Sequence, residues 1–235
     1  MRTRLDIATA SGSVVLADSG LALTPPALSS PSFKRYFRQL ADAGRLFLLD
    51  GEERSQFRLL ICVDEDLSDL PPHRFRRLSG SFLLPVPSGR LAVSGHAPNE
   101  RARELEVTTG NYAVSVLGVG QGELDGAAFR AEELNLLGQR DWRFRTWVGR
   151  LGVVGLVPFF AAFVVIIIYR VSVVSLVATL IGMGSLLPRL LIARTQRYRR
   201  IERRLHEHET SFPHFVLELR RVESSAGLVG GHFVV

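Results

Sequence analysis

From Leu151 to Leu187 the chain runs for 37 residues with a single charge, Arg170. The two uncharged halves, LGVVGLVPFFAAFVVIIIY and VSVVSLVATLIGMGSLL, are 19 and 17 residues long. As helices rising ~1.5 Å per residue they would reach roughly 25–29 Å, close to the ~30 Å hydrocarbon thickness of a bilayer. One unbroken helix would reach ~55 Å, too long for a single crossing. The pattern therefore predicts a hairpin of two transmembrane helices, with spans at about 147–168 and 172–192 and a tip at 169–171.

Thirteen residues of the first half are Leu, Ile, Val or Phe, worth very roughly 4–8 kcal/mol toward insertion as an upper bound. Arg170 would cost about 2.5–3.5 kcal/mol at the bilayer centre and little at a wet tip. Both tryptophans, Trp142 and Trp147, precede the first half, where amphipathic rings favour an interface, and Tyr169 would mark the opposite one. Arg140, Arg143, Arg145 and Arg150 precede the hairpin, and Arg189, Arg194, Arg197, Arg199, Arg200, Arg203 and Arg204 follow it. Under the positive-inside rule both termini face the cytoplasm, giving a multi-pass protein of a bacterial plasma membrane with the lipid bilayer as a partner. The rival reading is a buried hairpin of strands, since Phe163 to Val177 is rich in β-branched residues. Tyr-Arg is poor turn chemistry for it, and Pro158 is awkward in a central strand.

The net charge of +6 is unevenly placed: residues 1–139 carry −2 and residues 140–235 carry +8. Basicity concentrated beside the apolar run argues for lipid headgroups rather than nucleic acid, and no helix-turn-helix or similar module is present. The single cysteine, Cys62, lies in the apolar run Leu59–Val63 and reads as a small buried hydrophobe.

Residues 1–139 predict a β-rich domain, a sandwich or an open barrel. Candidate hairpins are Leu5–Ile7 with Ser13–Ala17, Arg45–Leu49 with Ser55–Val63 across Asp50-Gly51, Ser81–Pro85 with Arg90–Ser94, and Glu104–Val107 with Tyr112–Leu117. Two helices are expected, one capped by Ser30 with Pro31 first and stopped at Gly44, the other from Gly126 to Leu137. After the hairpin, residues 194–235 supply a basic helix, continuous from Arg189 to Glu209, whose Leu191, Tyr198, Ile201 and Leu205 form an apolar line. A strand at Phe215–Val222 follows, expected to return to the N-terminal sheet because an isolated strand has nothing to pair with. The fold class that results is an α+β membrane protein: residues 1–139, a transmembrane hairpin over 140–193, then the basic helix and strand.

Chemistry is sparse. Gly118-Val119-Gly120-Gln121-Gly122 lacks the lysine of a phosphate loop, and Glu123 and Asp125 follow it. His206, His208 and His214 are spaced so that neighbours on a helix diverge. Asp64, Glu65, Asp66 and Asp69 are the densest acidic patch, read either as a solvated loop or as a docking surface for a basic partner protein. No metal or cofactor is expected. Ser172, Ser175, Thr179 and Ser185, with Gly149, Gly152, Gly155, Gly182 and Gly184, suit close helix packing and a homo-oligomer. The functional expectation is a non-enzymatic, membrane-anchored protein, immunity-type or scaffold, whose β-rich domain binds a protein partner. Its rivals are a membrane-bound enzyme with a site in residues 1–139, and a structural hairpin forming membrane oligomers.

Overall fold

A computed structural model describes residues 1–23, 32–51, 56–95, 101–118, 126–169, 173–225 and 227–234. Within the two long helices it describes side chains at 139–158, 160, 161, 163, 164, 167, 177, 180, 181, 183–185 and 187–193. Two compact units result: Met1–Leu124 with Phe212–Val235, and Asp125–Ser211.

In chain order, the first unit contains β1 (Arg2–Ala8), β2 (Ser13–Asp18), α1 (Ser32–Asp42), β3 (Leu46–Asp50), β4 (Gln56–Val63), β5 (Arg76–Arg77), β6 (Phe82–Val86), β7 (Arg90–Ser94), β8 (Arg103–Glu106) and β9 (Gly110–Gly118). The second unit contains α2 (Gly126–Leu137), α3 (Gln139–Tyr169), α4 (Val173–Ala193) and α5 (Gln196–Ser211). The chain then returns to the first unit with β10 (Phe215–Val222) and β11 (Gly231–Val234).

One sheet runs β1-β4-β10-β9-β5, with β6 also paired to β9, and the other runs β11-β3-β2-β7-β8. Their inner faces share one core, in which Leu16, Phe47 and Leu49 meet Phe57, Leu59, Val114 and Leu217. The apolar runs of β2 and β3 are buried on both faces. Their alternate residues Val15, Ala17, Leu46 and Leu48 pack beneath Phe33, Phe37 and Ala41 of α1. Ser30 and Pro31, the expected cap of that helix, lie outside the described residues.

The strand expected at the C-terminal end is β10, and it lies inside a sheet. It is parallel to β4, with Phe215 opposite Leu59, and antiparallel to β9, with Phe215 opposite Gly118. The expected hairpins, by contrast, are corners. β1 and β2, β3 and β4, β6 and β7, and β8 and β9 each fall in opposite sheets. Asp50-Gly51 shows the reason: the Asp50 side chain is wholly buried, and the Gly51 amide donates to the Gly12 carbonyl at 2.8 Å rather than closing a tight turn.

The membrane expectation is overturned. Among the described residues, no helix is long and apolar enough to cross a membrane. The unbroken described stretch of α3, 139–158, carries Arg140, Asp141, Arg143, Arg145 and Arg150, and that of α4, 187–193, carries Arg189. What forms is an α+β fold with five helices among the described residues. The two transmembrane spans, the multi-pass plasma-membrane localisation with cytoplasmic termini, and the bilayer as partner are withdrawn with it. Arg170 of the expected tip lies outside the described residues, as does the side chain of Tyr169.

The basic helix is also broken. α4 ends at Ala193 and α5 begins at Gln196, with Thr195 between them accepting a hydrogen bond on its hydroxyl from the Tyr198 amide at 3.3 Å.

Candidate interaction surfaces

The acidic loop after β4 is bound up within its own unit. Arg2 of β1 donates to both carboxylate oxygens of Asp69, at 2.6 and 2.9 Å, and to the Asp66 carbonyl at 3.0 Å. Glu65 lies 2.9 Å from the Met1 amino group and 3.3 Å from Arg2. Asp66 accepts from the amide and hydroxyl of Ser68. Asp64, in a left-handed conformation at φ 50°, accepts from the Arg221 amide at 2.7 Å. The amino group beside Glu65, the Ser68 hydroxyl on Asp66 and the Arg2 guanidinium on Asp69 each hold the carboxyl below its usual range. The loop is thus fastened across the end of β1 by its own charges. Among the described residues, no group of His, Cys, Asp and Glu could hold a metal ion.

Behind that loop, Cys62, Glu218 and Ser115 stand in register on adjacent strands. Cys62 is buried with Phe75 and Val216, and burial pushes its thiol pKa up, so it stays a protonated small hydrophobe. Glu218 accepts from Arg77 at 2.6 Å and from Arg220 at 2.9 Å. On the opposite sheet, Asp50 accepts from Ser13, Lys34 and Arg38. Neither carboxylate has a motif around it. The only sequence signal is a lone acid within an apolar strand, LFLLD and FVLELRRV.

His208 and His214 have different partners. His208 lies 2.7 Å from Glu132, while His214 accepts the Arg58 amide at 3.2 Å on Nδ1. Residues 119–125 of the glycine loop lie outside the described residues.

In the second unit, the base is a small core of Leu137, Ile201 and Leu205, against which Trp142 and Phe144 pack. Trp142 therefore faces protein, while Trp147, Arg150, Arg189 and Arg194 are exposed. Arg145 pairs with Glu133 and Glu202, and Arg197 pairs with Asp141 while covering the Phe144 ring at 4.4 Å. A cavity of about 690 Å³ opens where α3 and α5 begin, lined in part by Arg140, Arg197 and Arg200. Asp141 also lines it, so the positive end of α3 is met by the chain's own carboxylate.

Above this base α3 and α4 pack on each other. Ser185 donates its hydroxyl to the Gly155 carbonyl at 2.8 Å. The Arg189 side chain fills the space where Gly152 has no Cβ. Among the described residues, nothing stands within 4 Å of where a Cβ on Gly149 or Gly184 would sit. Ser172 and the side chains of Ser175, Thr179 and residue 182 lie outside the described residues. Away from this seam α3 presents Val153, Val157, Phe160, Val164 and Ile167, with Phe160 61% and Ile167 64% exposed. α4 presents Leu180, Ile181, Met183, Leu187 and Leu191, with Ile181 61% and Leu191 63% exposed. The α3 set and, on α4, Leu180, Met183, Leu187 and Leu191 follow three-to-four-residue spacing, so each forms a stripe along its helix, with Ile181 beside the second. Together these exposed apolar side chains present on the order of 1,000 Å² over the two helices, where an ordinary monomer's largest apolar patch is roughly 300–600 Å².

No protein-family model and no curated protein matches this chain. Among solved structures, a chain described as crocagin biosynthetic gene J is similar over 50% of this chain and 76% of its own, at 21% identity and a TM-score of 0.35. ComJ from Bacillus subtilis, described as an inhibitor of the DNA-degrading activity of NucA, is similar over 53% of this chain and 86% of its own, at 8% identity and a TM-score of 0.34.

Proposed function

We propose that the protein is a non-enzymatic binding protein, and that the apolar flank of the α3–α4 hairpin is where it docks on a protein partner. The exposure of that flank carries the reading. Apolar area of this size in water is costly, at roughly 25 cal/mol per Å², and a protein partner that covers it recovers that free energy. The acidic loop supports the same choice by contrast. Its four carboxylates are engaged by Arg2, Met1, Ser68 and Arg221, so much of their charge is already met within the chain.

Site-specific photo-crosslinking in the native cell tests this. A photoreactive residue in place of Phe160 or Ile181 is expected to form adducts with a polypeptide, and one in place of the exposed Asp42 of α1 is not. Adducts confined to lipid, or none at either hairpin position, would refute the assignment.

A further inference from the structure

We infer that the cavity at the base of the second unit is a binding site for a small phosphorylated anion, a phosphomonoester or a diphosphate. The site is separate from the α3–α4 flank and does not depend on the docking role. Arg140, Arg197 and Arg200 line its volume of about 690 Å³ against one carboxylate, Asp141, leaving a formal charge of +2. Two elements bring them together, Arg140 from the first turn of α3 and the other two from the start of α5.

One of the three arginines is fixed in place. Arg197 donates to Asp141 through Nε and a terminal nitrogen, at 3.1 and 2.7 Å, and its guanidinium lies 4.4 Å from the centre of the Phe144 ring. Asp141 is thereby matched by Arg197. The surplus charge is that of Arg140 and Arg200, both exposed. Two further carboxylates of this unit, Glu133 and Glu202, are bonded to Arg145.

The chemistry of the lining selects the ligand. A guanidinium presents its N–H groups as a planar fork that meets two oxygens of a phosphate at once, and the charge surplus matches a phosphate dianion. α5 begins at the cavity, so the positive end of its dipole adds to the same field. The side-chain amides of Gln139 and Gln196 also line it and can bond the uncharged part of such a ligand. The volume suits a small molecule, and among the described residues no aromatic side chain lines it to stack a nucleic-acid base.

The test is calorimetric titration of the full chain with pyrophosphate at about 0.15 M salt, where diffuse surface attraction is screened. Saturable binding of one ion per chain is expected. Arg140→Ala and Arg200→Ala should each weaken it at least about tenfold, and Arg200→Lys, which keeps the charge and loses the fork, by a smaller factor. Arg204→Ala removes an exposed arginine of α5 outside the cavity and should change binding less than about twofold. No saturable binding by the unmodified chain overturns the site. Equal weakening by Arg204→Ala reveals a diffuse basic surface and overturns it as well. Binding of a single-stranded oligonucleotide that pyrophosphate does not displace overturns the small-ligand class.

Discussion

Arg38 of α1 donates a hydrogen bond to Asp50 at the end of β3, a carboxylate with no exposed surface. Lys34 and Ser13 donate to its other oxygen at 3.0 and 2.9 Å. Burial opposes the charged form most strongly, yet the hydrogen bonds from Arg38, Lys34 and Ser13 outweigh it and hold the carboxyl below its ordinary range. The contact joins α1 to the sheet it covers.

A depressed folded-state pKa makes the contact pH-dependent in one direction. The unfolded chain binds the proton more readily, so the stabilisation is complete above the unfolded value of about 4 and fades as pH falls through the folded value. Asp50→Asn removes that dependence. In urea titrations the gap between wild type and Asp50→Asn should be widest at pH 7 and close progressively below about pH 4. At pH 7, Asp50→Ala should cost about 1–3 kcal/mol, less than a fully buried pair, because both cations can turn to water. A gap that widens on acidification would contradict the assignment.

Gly44 and Gly230 meet backbone to backbone. Gly44, at φ 67°, ends α1, with its own amide bonded to the Ala41 carbonyl and that of Arg45 to the Leu40 carbonyl. A Cβ on Gly230 would stand 2.2 Å from the Gly44 Cα and 2.4 Å from the Ala41 carbonyl oxygen. Backbone atoms cannot rotate aside as a side chain does. Gly44→Ala should therefore cost about 1 kcal/mol, the ordinary left-handed penalty, and Gly230→Ala about 3 kcal/mol from overpacking. Thermal denaturation of the two variants ranks them, and the reverse order would show that the β11 end yields easily.

The apolar line read along the basic segment divides in two. Ile201 is buried at the base of the second unit, whereas Leu191 stands in solvent. Both tryptophans lie in this unit, so intrinsic fluorescence reports its unfolding directly. Ile201→Ala should lower its stability by about 2–4 kcal/mol, and Leu191→Ala should change it by less than about 0.5 kcal/mol. Equal effects would mean that α5 does not pack as described.

Local signals placed the strands but not their partners. Periodicity and turn residues mark β3, β4, β6 and β7 correctly to within a residue or two, because alternating burial is a property of each strand alone. Whether a turn folds a strand back in its own sheet or carries it across the core is decided by what the next apolar face meets, and both outcomes bury the same residues. Asp50-Gly51 reads as hairpin chemistry only until Lys34 and Arg38, more than ten residues earlier, claim the carboxylate. The acidic patch is similar. Its residues are plain in the sequence, while Arg2, which occupies it, lies 67 residues from Asp69. The apolar run from Leu151 predicts helices well, but composition alone does not say what solvates their outer faces.

The return of the chain after the second unit makes its last segment indispensable to the first. β10 bridges β4 and β9, so without it each of those strands loses one of its hydrogen-bonding neighbours and the inter-sheet core loses Phe215, Leu217 and Leu219. Phe215 also packs against Phe57 of β4, the two rings tilted by 36° with centres 6.1 Å apart. Leu217→Ala leaves a cavity in a core with no exposed surface and should cost about 2–5 kcal/mol. Ending the chain at Ser211 removes the strand outright and exposes two sheet edges to aggregation. The truncated protein should lose the β-sheet signal in circular dichroism and precipitate, while Leu217→Ala keeps the signal and melts at a lower temperature. A truncated chain that retains native sheet content would mean that β4 and β9 can close on each other, and the central place of β10 would be lost.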